Sequence, residues 1–378
     1  MNASGTALQG KHTVEACELY MAFELGEKSW KLALGDGARS PSRYTMAAGD
    51  TAALLECIAK AKARCGLGLE ASVHSCYEAG RDGFWLHRWL IEHGIDNIVV
   101  DSASIEVNRR ARRAKTDRLD ADKLLSMLLR YHADEPRVWS VVRVPTPEEE
   151  DARRAHRELG RLGHERTAHS NRIRALLVLH NLRVKHVGGR LWQRWWTGHA
   201  QELAPGVRAE IERESERLSL VKKQMDTIEA AQRQAVAAGS EAQVARLAQL
   251  RGIGVGSGWV LAKELFGWRR FRNRREVAGC LGLTPSPYAS GESETEQGIS
   301  KAGNRRVRTL LVELAWSWLR YQRESELSQW FNRRFAAGGK RLRRIGIVAL
   351  ARRLAIALWR YLEDGLIPRG AQLKPIAG

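Results

Sequence analysis

The sequence is poor in what would tie it to a membrane or an oxidising compartment. Its five cysteines, Cys17, Cys57, Cys65, Cys76 and Cys280, include no CxxC pair and are odd in number. That argues against a disulfide scaffold and a cysteine zinc ribbon, and predicts buried, reduced thiols. No stretch reaches the ~18 uninterrupted apolar residues of a spanning helix, and MNASGTALQGKHTVEACELY lacks the apolar centre of a signal peptide. A cytoplasmic protein with no membrane partner is the expectation. The eleven histidines never take HxxxH spacing. Six of them, between 156 and 199, read as surface or phosphate-facing rather than metal-binding. Acid is also scarce: 43 Asp and Glu stand against 62 Lys and Arg, a formal net charge of +19.

What is abundant is therefore positive charge, and it is unevenly spread. Residues 1–100 hold 10 basic against 12 acidic side chains, 152–200 hold 11 against 2, and 251–378 hold 24 against 10. Lys and Arg neutralise phosphates and release counterions, so nucleic acid is the leading partner of the basic part. The faintly acidic front is suited to a different job, such as chemistry on a metal. At 378 residues the chain exceeds one compact core, so two or three domains are expected.

Along the front, ELYMAFELGEKSWKLAL (18–34) alternates like two strands about a tight turn. Residues 50–64 read as a helix capped by Asp50, 71–80 as a strand, 83–94 as a helix, 95–103 as a strand and 119–133 as a helix. A hairpin followed by alternating helices and strands is an α/β pattern of RNase H-like order. PTPEEEDARR (145–154) reads as a boundary, followed by about 50 basic, helix-prone residues ending in three tryptophans, Trp192, Trp195 and Trp196. These suit core packing better than stacking on bases. From Val207, apolar residues recur by four and three through Ile211, Leu218, Val221, Met225 and Ile228, with Glu214 the exception. This is a short coiled-coil seam, equally open to packing within its own domain. GIGVG (252–256) between two apolar helical patterns resembles a helix–hairpin–helix turn. GLTPSPYASGESETEQGISKAG (282–303) reads as a polar loop, and residues 303–320 and 339–362 as basic helices with apolar stripes. The expected fold is thus an α/β RNase H-like domain at 15–150, a basic helical and coiled-coil region at 151–245, and a largely helical domain at 246–378.

The chemistry concentrates in carboxylates. Glu24 lies in the first strand, Glu78 closes the strand HSCYEAG, and Asp117 and Asp120 stand three apart at a helix start, sharing one face. Alone, Asp117 and Asp120 are adequately explained as helix caps. In an RNase H-like sheet the four would meet at one edge and repel unless cations bound between them. Magnesium or manganese, taking hard oxygen ligands, answers that need. Arg112, Arg113 and Lys115 just upstream would hold a nucleic-acid backbone.

YEAGRDGFWLHRWL, VVDSASIEVNRRARRAKTDRLDADKLL and GLTPSPYASG…ISKAGNRRVRTLLVELAW together resemble the DEDD-type transposases of insertion-sequence family one-ten. These are also called bridge-RNA-guided serine recombinases and are related to the pilin-gene invertases. The resemblance covers about residues 18–135 and 248–360. It implies that Glu78, Asp117 and Asp120 are the second, third and fourth magnesium ligands, with Asp122 outside the set as a solvated helix residue. The first ligand falls on Glu24, where the family usually has aspartate. The resemblance also implies a nucleophilic serine at Ser290, in YASG, whose hydroxyl would hold a DNA end as a phosphoserine. Lys301, Arg305, Arg306 and Arg308 would grip phosphates beside it, and Asn304 would cap the helix. The implied setting is a bacterial nucleoid-associated oligomer (dimer or tetramer) acting on element ends and target DNA, with a structured noncoding RNA as guide. Two other readings stay open on the residues: a metal nuclease of Holliday-junction type using the carboxylates alone, and an inactive nucleic-acid-binding relative.

Overall fold

The computed structural model describes residues 18–105, 117–135, 137–290 and 293–375. The chain forms two compact units, Met1–Val144 and Pro145–Gly378, so the division falls in the PTPEEEDARR stretch.

The first unit is built on a five-stranded sheet of order β3-β2-β1-β4-β5. Strand β1 (Leu19–Leu25) pairs antiparallel with β2 (Ser29–Gly35), and β2 with β3 (Ser42–Ala47). On its other side β1 runs parallel to β4 (Val73–Glu78), and β4 to β5 (Asp96–Val100). The period-2 pattern sorts side chains between two faces. Leu19, Met21, Phe23, Trp30, Leu32 and Leu34 pack with Leu54 and Ile58 of α1 (Thr51–Cys65) and with Leu86 and Leu90 of α2 (Trp85–Glu92). Asp50 caps α1 as expected, its carboxylate accepting from Ala53 N at 2.9 Å. The opposite face carries small residues, Ala22, Ala33 and Cys76, and α3 (Asp117–His132) lies on it through Ala121, Leu124, Leu125 and Leu128. Small side chains there let the helix approach the sheet closely. This is a mixed sheet with helices on both faces, an α/β unit. Strand β3 is absent from the sequence expectation. It is short and edge-lying, with only Ser42 and Met46 buried and Tyr44 partly packed on the same face, a weak signal over six residues.

The second unit is helical apart from one hairpin. Helix α4 (Pro147–Asp151) starts on a capping box: Thr146 Oγ1 accepts from Glu149 N at 3.1 Å and Glu149 Oε2 from Thr146 N at 3.0 Å. The long helices α5 (Arg154–Val178) and α7 (Pro205–Ala237) enclose a core of Ile173, Leu177, Ile211 and Leu218 with Trp192 of α6 (Arg190–His199). The four-three seam is therefore used inside the chain from Ile211 to Leu218. Trp192 is buried in that core, with Trp195 and Trp196 packed against it, so the tryptophans serve packing.

Farther on come α8 (Ala242–Gln249), then α9 (Val255–Leu261) running into a π-helical turn over Ala262–Phe266, then α10 (Arg274–Cys280). The glycine turn joins α8 to α9, with Gly252 in the left-handed region (φ 88°) and its carbonyl accepting from Ser317 Oγ at 2.8 Å. The loop expected over 282–303 is instead a hairpin, β6 (Pro285–Ser290) and β7 (Ser293–Ile299), in register Pro285↔Ile299 to Ser290↔Ser293. Its strands are mostly polar, with Tyr288 and Ile299 their large apolar residues, so no apolar alternation announced them. Helices α11 (Arg305–Tyr321), α12 (Glu326–Phe331) and α13 (Lys340–Glu363) complete a core centred on Leu311, Trp318, Leu350 and Leu354.

Candidate nucleic-acid-processing site

Strand alternation decides which side chains face α3. Tyr20, Ala22 and Glu24 share that face of β1, and His74, Cys76 and Glu78 share it on β4. The parallel register Phe23↔Tyr77 makes Glu24 and Glu78 the next residues on neighbouring strands, side by side where both strands end. Helix α3 runs the other way. His132 at its C-terminus packs edge-on against Tyr20 at the start of β1, with ring centroids 5.3 Å apart. A 16-residue helix is about 24 Å long, matching the length of the strands. Its N-terminus, opened by Asp117 with the half-buried Asp120 one turn on, therefore lies at the edge where Glu24 and Glu78 stand. Glu78 is exposed and Glu24 half-buried, directly opposite Lys31 of β2. Among the described residues, Glu24, Glu78 and Asp120 do not close into a group within 4.8 Å. Arg112, Arg113 and Lys115 lie outside the described residues.

Asp122 is not the solvated residue expected. Its carboxylate takes Arg43 Nε of β3 on both oxygens, at 2.9 and 3.0 Å. This pins the first turns of α3 to the sheet edge beside Lys31 and Tyr44, and it occupies Asp122 structurally.

In the second unit Ser290 ends β6, at the tip of the hairpin. The hairpin base explains why the flanking motifs need glycine. Gly282 has φ 63°, and a Cβ there would stand 1.9 Å from Ala302 O; Gly303 has φ 89° and would meet Cys280 O at 2.1 Å. Only a bare backbone lets the two chain segments touch at both points. Lys301 N donates to Gly282 O at 3.1 Å, and Lys301 itself sits at φ 57° with an exposed side chain. Asn304 caps α11, accepting from Val307 N at 3.2 Å, as expected.

The basic residues after the hairpin divide. Arg305 is exposed and Lys301 is open to solvent, as phosphate contacts require. Arg308 is half-buried and has a structural role as well: its Nη1 donates to Leu281 O at 2.9 Å and to Ala302 O at 3.4 Å, tying the hairpin base to α11. Arg306 lies 3.9 Å from a buried carboxylate, Glu264, while remaining substantially exposed. Sequence reasoning passed over Glu264, which sits in the π-helical turn and is 2% exposed. It accepts from Arg157 Nε and Nη2 at 2.7 and 3.0 Å, faces His156 Nε2 at 2.8 Å, and accepts from Asn304 Nδ2 at 3.2 Å. Burial alone would raise its pKa. The hydrogen bonds from His156 and Arg157 outweigh that and hold the carboxyl far below its usual range. His156 is therefore a buried partner, not a surface group. His169 likewise pairs with Glu214 at 2.6 Å in the α5–α7 core. There burial again opposes, and His169, Arg172 and Arg217 prevail, bringing Glu214 down to about 2.

Comparison with known proteins bears on what these parts do. The family model described as Transposase IS116/IS110/IS902 matches residues 244–329, which include the hairpin, Ser290 and Asn304. A putative transposase, y4rJ, of Sinorhizobium fredii is 40% identical over 376 residues, 94% of this chain and 94% of the relative. A second from the same organism, putative transposase y4qE, is 31% identical over 65% of this chain and 58% of its own length. The transposase for insertion sequence element IS1328 of Yersinia enterocolitica is 26% identical over 59% of this chain and 66% of its own.

Proposed function

The chain belongs to the IS116/IS110/IS902 family of transposases, and from that premise we propose that it cuts and rejoins the DNA of an insertion sequence with two sets of groups, a carboxylate set and a serine. DNA is the partner that membership entails, and no helix among the described residues is long and apolar enough to cross a membrane. The observation that carries the carboxylate set is the arrangement of the first unit's sheet. Parallel strands carry Glu24 and Glu78 at or next to their ends, and α3 begins with Asp117 and Asp120 at that same edge.

Every donor in the set is a carboxylate oxygen, the hard chemistry that magnesium or manganese prefers over zinc. Glu24, Glu78, Asp117 and Asp120 would hold the ion, which would act as a Lewis acid on phosphodiester oxygens. The remaining work falls to the chain itself. The Ser290 hydroxyl attacks phosphorus, its Oγ–P bond forming as the bond to one DNA oxygen breaks. The serine proton leaves to solvent or a nearby base, and the leaving oxygen departs as a hydroxyl. The phosphoserine conserves the ester, so a new DNA hydroxyl can displace the serine and reseal the strand without an external energy source. Lys301, Arg305 and Arg306 neutralise the flanking phosphates; Arg112, Arg113 and Lys115 are proposed for the same work. The family's guiding noncoding RNA and its oligomeric assembly belong to this reading as well. The basic surface of the second unit is suited to both kinds of nucleic acid.

Magnesium-dependent strand transfer by the purified protein tests the carboxylate set, using element-end DNA and RNA transcribed from the element flank. Asp120→Asn and Glu78→Gln are expected to lower the rate by at least ~100-fold, the scale on which loss of one charge-stabilising group is felt in k. Activity retained in Glu24→Ala would remove Glu24 from the set, and activity retained in all three variants would overturn it.

A further inference from the structure

The α3 face of the first sheet has a second cluster at the end opposite the carboxylates. His74 opens β4's exposure to α3, Asp96 begins β5, and His132 ends α3. Each offers one donor atom, and the three donors lie within 4.8 Å of one another. We propose that His74, Asp96 and His132 form a site for a zinc-class divalent ion, distinct from the carboxylate edge.

Four observations support it. The donor set, two imidazoles and one carboxylate, is the borderline-soft set that zinc and its neighbours take, whereas magnesium prefers oxygen alone. The spacing is close: ligand bonds of about 2.0–2.2 Å in a tetrahedron place donor atoms roughly 3.3–3.6 Å apart, and His74 Nδ1 stands 3.0 Å from Asp96 Oδ2, whose exposed side chain can turn by the few tenths of an ångström an ion requires. The His74 and His132 rings are 4.4 Å apart between centroids, inclined at 49°, which leaves their edges converging rather than stacked. Finally, an outer shell is in place. His74 Nε2 is buried without a hydrogen bond of good geometry, yet Glu18 Oε2 lies 3.4 Å away, itself accepting from Tyr20 OH at 2.7 Å. With an ion on Nδ1, the Nε2 proton would point at that carboxylate, the arrangement that fixes tautomer and ring angle around bound metals. Asp96 is largely exposed, so an ion has an entry path and a fourth position is left for water.

Such an ion would tie the starts of β4 and β5 to the C-terminus of α3, the helix whose other end carries Asp117 and Asp120. The residues lie 22 and 36 positions apart, beyond any local ligand motif, so spacing rules on the sequence do not find them.

The test uses the full-length protein, stripped with chelator, dialysed against zinc chloride and then against metal-free buffer, with zinc counted by mass spectrometry. One equivalent is expected to remain and to raise the unfolding temperature of the first unit. Cobalt in its place should give visible bands of tetrahedral coordination without a thiolate charge-transfer band, separating this site from cysteine. Asp96→Asn, an exposed change that keeps the fold, and His132→Gln should each lose the retained equivalent, whereas Asp120→Asn should keep it. No retained zinc in the wild type, or zinc retained equally by Asp96→Asn and His132→Gln, would overturn the proposal. The measurement reads binding, so its outcome is independent of whether the protein proves to recombine DNA.

Discussion

Glu264→Gln isolates the worth of the buried carboxylate beneath the hairpin. The substitution conserves volume and removes one charge. It leaves Arg157 and His156 facing an amide that can satisfy only part of four contacts. Removing one partner of a buried pair costs about 3–5 kcal/mol, because the other is left charged and unpaired. Here Arg157 is 45% exposed and can recover water, whereas His156 is 2% exposed and cannot. The lower end, about 3 kcal/mol, is therefore the expectation. For a unit of this length that corresponds to roughly 6–12 °C in the unfolding midpoint. Calorimetry of the full-length protein, following the transition of the second unit, reads it directly. The pH dependence has a defined sign. Glu264 is depressed in the folded state, so its contribution is complete above the ordinary carboxylate value of 4.5 and is lost as pH falls toward the folded value. The gap between wild type and variant should shrink as pH falls below about 4.5. A midpoint shift under about 2 °C at neutral pH, or a gap that widens on acidification, would show that the cluster does not stabilise this unit as argued.

Two further outcomes follow from the same geometry. Gly282→Ala combines a left-handed φ with a Cβ driven onto Ala302 O, so it should cost more than about 1 kcal/mol in backbone strain and ~1–3 kcal/mol in displaced chain. Protease sensitivity confined to the hairpin would register it, and wild-type resistance would contradict the close approach. Glu214→Gln should remove stability that the wild type keeps at neutral pH and loses between about 4.5 and about 2 as Glu214 protonates. An acid titration followed by circular dichroism, with identical wild-type and variant curves, would speak against that cluster.

Much of the first unit was legible because its signals are local. Alternation in β1 and β2 and the Asp50 cap each announce themselves within a few residues. The shared edge of Glu24, Glu78, Asp117 and Asp120 follows from strand ends and a helix start once the sheet order is known. What was not legible depends on distance in sequence. Asp122 reads as an ordinary helical acid until the short edge strand β3 brings Arg43 to it across 79 residues. Glu264 is one of several acids in a basic region, and only the packing of α5 against the π-helical turn reveals what it binds. Arg308 shows the converse. Its place among the arginines that open α11 suggested a phosphate contact, and its Nη1 is used on two backbone carbonyls. The hairpin was read as a loop because polar strands held by backbone register carry no hydrophobic signature.

The central claim is that one serine and one carboxylate set serve a single recombination reaction. Trapping the covalent intermediate tests it most directly. Purified protein is incubated with radiolabelled element-end DNA, flank-derived RNA and magnesium, then denatured and resolved by electrophoresis. The account predicts a denaturation-stable protein–DNA adduct whose attachment maps to Ser290. The adduct should be absent in Ser290→Ala, absent without divalent metal and strongly reduced in Asp120→Asn. DNA cleavage that continues in Ser290→Ala with no adduct at any serine would contradict it and leave a nuclease that works through its carboxylates alone.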